Sequence, residues 1–150
     1  MTAPFVPAGF DPPTGMATER FVLEPLGPQH NDSDHDAWTS SMEHIRATAG
    51  FEQSAWPRVM TPAENLSDLE GHRRDFELRR GFTFTVLAPD SGRVIGCVYI
   101  YPSDRAEYDA DVRSWVRSSH AELDDPLRRS VSAWLAEEWP FRRVHAPGRG

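Results

Sequence analysis

A chain of 150 residues with 16 basic against 23 acidic side chains has a formal charge of −7 and the length of one domain. That acidic balance argues against nucleic acid as a partner, because affinity for a phosphate backbone comes from cations that displace condensed counterions. The single cysteine, Cys97, excludes an intrachain disulfide and an all-thiolate zinc site and makes the reducing cytoplasm the expected compartment.

Residues 1–18 hold Pro4, Pro7, Pro12 and Pro13 with Gly9 and Gly15, which removes backbone donors and leaves no hydrophobic period. They read as an extended arm on a domain spanning residues 19–150, with Phe5, Val6 and Phe10 free to pack on the domain or a partner. No positive charge precedes Arg20 and no apolar run approaches ~20 residues, so neither a signal peptide nor a membrane anchor is expected. Arg20-Phe21-Val22-Leu23-Glu24-Pro25-Leu26 alternates as a first strand. The polar residues 27–36 read as a loop leading into a first helix over 36–48, capped by Asp34 or Asp36 and carrying Trp38, Met42 and Ile45.

Thr61-Pro62-Ala63-Glu64 is a capping box with proline at the first helical position, and Leu66, Leu69, Arg73 and Phe76 extend a second helix to Gly81. The apolar runs 82–87 and 93–101 flank Pro89-Asp90-Ser91-Gly92, a turn by composition, and predict an antiparallel hairpin. Residues 109–117 alternate, with Ala110, Val112, Ser114 and Val116 on one face and Asp111, Arg113, Trp115 and Arg117 on the other. Asp125 followed by Pro126 predicts the cap of a third helix bearing Leu127, Val131, Trp134 and Leu135, and residues 141–145 form a last short strand.

The order strand, helix, helix, three strands, helix, short strand resembles the GNAT (GCN5-related) N-acetyltransferase fold. Thr18-Glu19-Arg20-Phe21-Val22-Leu23-Glu24-Pro25-Leu26 is similar to the opening of its branch that acetylates ribosomal-protein N-termini. The hairpin strings Gly81-Phe82-Thr83-Phe84-Thr85-Val86 and Gly92-Arg93-Val94-Ile95-Gly96 resemble that branch as well, as does the tryptophan-containing Ala110-Asp111-Val112-Arg113-Ser114-Trp115-Val116-Arg117. The resemblance implies an α+β domain with a mixed, mostly antiparallel sheet flanked by helices and shortened at the C-terminus. It implies acetyl transfer from acetyl-CoA, as co-substrate, to an amine on a small molecule or peptide. Asp111 aligns with an acidic position that some relatives use as base, and the backbone around Trp115, Val116 and Arg117 would meet the oxyanion and coenzyme arm.

The family's phosphate loop is glycine-rich, whereas residues 118–126 contain no glycine and three carboxylates, Glu122, Asp124 and Asp125. A capping Asp125 would occupy the helix donors that a diphosphate uses, which leaves Arg117, Arg128 and Arg129 as replacement phosphate contacts. No residue matches the family's acid tyrosine; Tyr99, Tyr101 and Tyr108 read first as packing residues, and Tyr101 is the candidate acid. The sheet edge left by a short C-terminus predicts a homodimer. The alternative is a GNAT-fold protein without catalysis that binds a ligand or dimerises through the same cleft.

His30-Asn31-Asp32-Ser33-Asp34-His35-Asp36 has carboxylates at alternate positions but lacks the glycine and distal glutamate of a calcium loop, so no metal is expected. His44 and His72 read as surface or packing residues, and Cys97 as an inert buried thiol.

Overall fold

The computed structural model describes residues 4–147. Six strands form one sheet in chain order: β1 (Met16–Ala17), β2 (Val22–Pro25), β3 (Phe82–Leu87), β4 (Val94–Pro102), β5 (Ala110–Val116) and β6 (Val144–His145). All neighbours are antiparallel except β5 and β6, which run parallel. The helices are α1 (Asn31–Thr39), α2 (Met42–Arg46), α3 (Pro62–Glu77) and α4 (Asp124–Glu138), with 3-10 turns at Pro28–His30 and Ser118–Leu123.

Alternation along the strands divides the interior into two cores. Phe84, Val98, Ile100, Val112 and Val116 pack with Leu127, Val131, Trp134 and Leu135 of α4 on one face. Cys97 and Trp115 pack with Ala37 and Trp38 of α1, Ile45 of α2 and Leu69 of α3 on the other. The arm belongs to the first core: Val6 is buried, and the Phe5 ring stacks on Phe82 and Phe141. Its end adds β1, a strand the proline-rich composition conceals.

Thr61 caps α3 as expected, its hydroxyl accepting the Glu64 N–H at 3.1 Å while the Glu64 carboxylate accepts the Thr61 N–H at 2.8 Å. The helix ends at Glu77, and Arg79 rather than Gly81 takes the left-handed turn, at φ 60°. Gly92, at φ 72°, serves the hairpin turn in the conformation that favours glycine. The tail that the sequence predicts after the last strand, Pro147-Gly148-Arg149-Gly150, lies outside the described residues beyond Pro147.

Two helix assignments need correction. Residues 36–48 are not one helix: α1 begins at Asn31, breaks after Thr39, and α2 resumes at Met42. The Asn/Asp-rich run reads as loop by propensity, but Trp38 and the buried Asp34 dock it against α3. Asp125 does not cap α4 either. Leu123 holds the cap position without a side-chain bond, and the Asp125 carboxylate turns to Arg128, 3.5 Å away.

Candidate active site

The β5–β6 ladder consists of two pairs, Ala110 with Val144 and Asp111 with His145. Beyond Asp111 the strands part. The Arg117 N–H donates to the Ile95 carbonyl at 2.8 Å, toward β4, so alternation turns the N–H groups of Ser114 and Val116 toward the open edge, where no strand continues the ladder. Val112, Ser114, Arg128, Val131 and Leu135 border a cavity of ≈20 Å³ there, together with Ala146 and Pro147 beyond β6. That volume holds about one water.

Asp111 sits at the fork, its Oδ1 3.3 Å from Nδ1 of His145. The separation suits an ion pair, yet the oxygen is buried and lacks a partner aligned for hydrogen bonding. Asp111 pairs across the ladder with Tyr101, and Arg113 with Tyr99, so all four side chains face the α1–α3 side. Two cavities open on that face and share Tyr99, Tyr101 and Arg113: an outer one of ≈750 Å³ that also reaches Asp111 and His145, and an inner one of ≈480 Å³ beneath α1 and α3.

The inner cavity is built by α3. Its inward stripe is Asn65, Leu69, His72 and Phe76, whereas Leu66 and Arg73 of the expected stripe point outward. His72 Nδ1 lies 3.0 Å from both the Tyr101 hydroxyl and Thr83 Oγ1, and Tyr101 donates to Asp75 Oδ2 at 2.9 Å. Since the tyrosine proton is committed to Asp75, the Tyr101 oxygen accepts from His72, which places the imidazole proton on Nδ1. Burial lowers the His72 pKa and so favours the neutral ring. Burial also raises the Tyr101 pKa, helped by the Asp75 carboxylate.

On α1, Asp34 Oδ2 accepts from Asn65 Nδ2 at 3.0 Å, and Asn65 Oδ1 accepts from Trp38 Nε1 at 3.0 Å. Burial pushes the Asp34 pKa up to about 6. Sequence reading offers Asp34 only as a helix cap and His72 only as a surface or packing residue, and passes over Asn65 and His145; the i, i+4, i+7 spacing of Asn65, Leu69 and His72 is the signal that sets Asn65 and His72 on one face.

The coenzyme-side candidates are dispersed. Arg117 is buried, with Nε donating to the Val94 carbonyl at 2.7 Å and Nη2 3.0 Å from Asp36, so its guanidinium braces β4 and α1 rather than facing a phosphate. Trp115 is buried on the α1–α3 face, donating to the Tyr99 hydroxyl at 2.9 Å, and only the neighbouring backbone reaches the open edge. Val116 points its side chain into the α4 core. Arg128 borders the narrow cavity and Arg129 is exposed.

The acidic loop is partly neutralised from within. Asp124 lies 3.1 Å from His44 Nε2, and desolvation raises its pKa despite that histidine. With Asp125 drawn to Arg128, no side chain caps α4. The open backbone donors of β5 border a gap of only ≈20 Å³, with Arg128 on its wall and Arg129 exposed on the same helix. Among the described residues no group of three or more His, Cys, Asp or Glu is arranged to hold a metal ion, and no helix is long and apolar enough to cross a membrane.

No family model matches the chain. A 74-residue stretch is 39% identical to the riboflavin biosynthesis protein RibBA of Bacillus cytotoxicus; it covers 49% of this chain and 18% of that protein, so the chain spans less than a fifth of this curated relative. Solved structures match far more broadly. The ribosomal-protein-S5-alanine acetyltransferase of Vibrio fischeri superposes with a TM-score of 0.68 at 15% identity, over 88% of this chain and 72% of that one. The acetyltransferase of Salmonella typhimurium that modifies the N-terminal serine of ribosomal protein L7/L12 gives 0.64 at 11%, over 85% and 70%. The microcin C7 self-immunity acetyltransferase MccE, solved with acetyl-CoA and AMP, gives 0.65 at 12%, over 84% and 67%. From the strand order, the fork at Asp111 and these superpositions together, this chain has the fold of the GNAT acetyltransferases.

Proposed function

We propose that the protein is an N-acetyltransferase that moves an acetyl group from acetyl-CoA to an amine. The observation that carries this reading is the fork: β5 and β6 join only at Ala110 and Asp111, leaving strand donors open behind a carboxyl that faces a cavity. Acetyl-CoA supplies an activated acyl group on a good leaving group. The N–H groups of Ser114 and Val116 would hold the coenzyme arm and stabilise the oxyanion, with Arg128 and Arg129 near the phosphates. Asp111 would take the ammonium proton, oriented by His145. Tyr101 donates to Asp75, so it would protonate a leaving group only after exchanging that partner.

We further propose that the protein is cytoplasmic and a homodimer, the pairing of copies being supported by the short β6 at the sheet edge. Light scattering of the purified protein tests the assembly.

A second reading, a ligand-binding protein without catalysis, is favoured by the ≈20 Å³ gap and the glycine-free loop. Thermal shift with acetyl-CoA separates the two, because coenzyme at 100 times its dissociation constant adds ~2.7 kcal/mol of stability. A shift, followed by turnover on a panel of amines, supports the transferase. No shift at millimolar coenzyme leaves the second reading.

A further inference from the structure

Its walls give the inner cavity a chemistry of its own. The Trp56 ring forms the hub of an aromatic cluster, with centroids 5.3 Å from Trp38, 5.9 Å from Phe51 and 6.5 Å from Tyr99. Three carboxylates, Asp34, Asp68 and Asp75, line the same space against one cation, Arg113. Arg113 is already engaged: its guanidinium lies 5.1 Å over the Phe51 ring and donates to the Gly50 carbonyl at 3.2 Å. Asp75 is held by Tyr101 and by Arg80, 3.4 Å away. That leaves Asp34, buried and bonded to Asn65, and Asp68, exposed at the lip, as carboxylates without a cationic partner within ion-pair distance among the described residues.

We propose that this cavity binds a small primary ammonium carried on a flat aromatic body, with Asp34 and Asp68 reading the charge and Trp56, Phe51 and Tyr99 holding the ring. The volume, ≈480 Å³, lies within the usual range for small-molecule sites. A cation gains from ring faces and from a carboxylate that burial has stripped of water, whereas an anion meets net negative charge. As the acceptor site of an acetyltransferase, the cavity rests on the function proposed above and would meet Asp111 only through the outer cavity, with which it shares Tyr99, Tyr101 and Arg113. As a binding site it stands apart from it, because none of its walls belongs to the β5–α4 gap.

Isothermal titration of the full chain, without coenzyme, tests this with three probes: tryptamine, indole-3-propionate (the same ring with a carboxylate) and n-butylamine (the charge without the ring). Tryptamine is expected to bind about tenfold or more tightly than n-butylamine, the scale of ring and cation–π contributions, with no binding of the acid. Asp68→Asn, at an exposed position that the fold does not need, should weaken tryptamine about threefold or more. Trp56→Ala should weaken it about tenfold. Equal binding of acid and amine, no binding of tryptamine at millimolar concentration, or full affinity in both variants would overturn the proposal. Tryptamine binding without acetylation after coenzyme is added would leave the binding site standing and remove its role as the acceptor site, while the transferase reading itself falls only if coenzyme fails to bind.

Discussion

Asp111 Oδ1 and His145 Nδ1 face each other across 3.3 Å at the last paired position before β5 and β6 diverge. The two residues are 34 positions apart, joined by the helix that covers the opposite face. If Asp111 is the base, Asp111→Asn keeps the side chain's shape and its place at the fork but removes proton acceptance. Acetyl transfer should fall by ~10²–10⁴-fold while the melting temperature barely moves. Steady-state rates beside a thermal melt check this, and an active, equally stable variant would move the base elsewhere.

The Asp34 carboxyl titrates near 6 in the folded chain, against 3.8 for the free group. A raised acid pKa means that the folded state binds more protons than the unfolded state between these values, so its contribution to stability declines as the pH climbs from about 3.8 to about 6. Asp34→Asn retains an acceptor for Asn65 and abolishes that dependence. Relative to the natural chain, the variant should gain about 3 kcal/mol between pH 3.5 and pH 7. Urea unfolding of both proteins at the two pH values measures the difference directly; parallel curves would refute it.

Gly81 lies beneath the Tyr101 ring, and a methyl group at that position would overlap the ring's Cε2 and Cδ2 atoms. Gly81→Ala must therefore displace the tyrosine from both Asp75 and His72. The expected cost is about 1–3 kcal/mol, the usual penalty for overpacking, with a larger loss if the hydroxyl is left buried without a partner. Chemical denaturation gives the cost, and the shift of the His72 ring resonances reports whether Tyr101 has left.

Val6 is buried under the first core although it belongs to the proline-rich arm. Val6→Ala removes two methyl groups from a packed site and should cost about 2 kcal/mol, comparable to a substitution within a strand. An arm that merely trails from the domain would tolerate the change within about 0.5 kcal/mol, which denaturant midpoints distinguish.

Periodicity and turn chemistry were enough to place the hairpin of β3 and β4, the capped start of α3, the alternation of β5 and the apolar stripe of α4, because each depends on residues near one another in the chain. The polar α1 was hidden for the same reason: its Asn and Asp residues favour loops locally, and only docking of Trp38 and Asp34 against Asn65 makes a helix there. The arm's burial and β1 likewise depend on surfaces supplied elsewhere.

At the site, the sequence by itself displayed the unusual acidity of residues 118–126, and its resemblance to the acetyltransferase family, rather than strand alternation, singled out Asp111. Only the tertiary structure set His145 beside Asp111, turned Arg117 inward, drew Asp125 away from the helix end, and closed Trp56, Asp34 and His72 around one cavity. Except for Asp125 and Arg128, three positions apart, these contacts join residues about 20 to 80 positions apart, set by how two faces of a twisted sheet are covered. Local propensity contains no information about which distant side chain will arrive to share a proton, a charge or a wall.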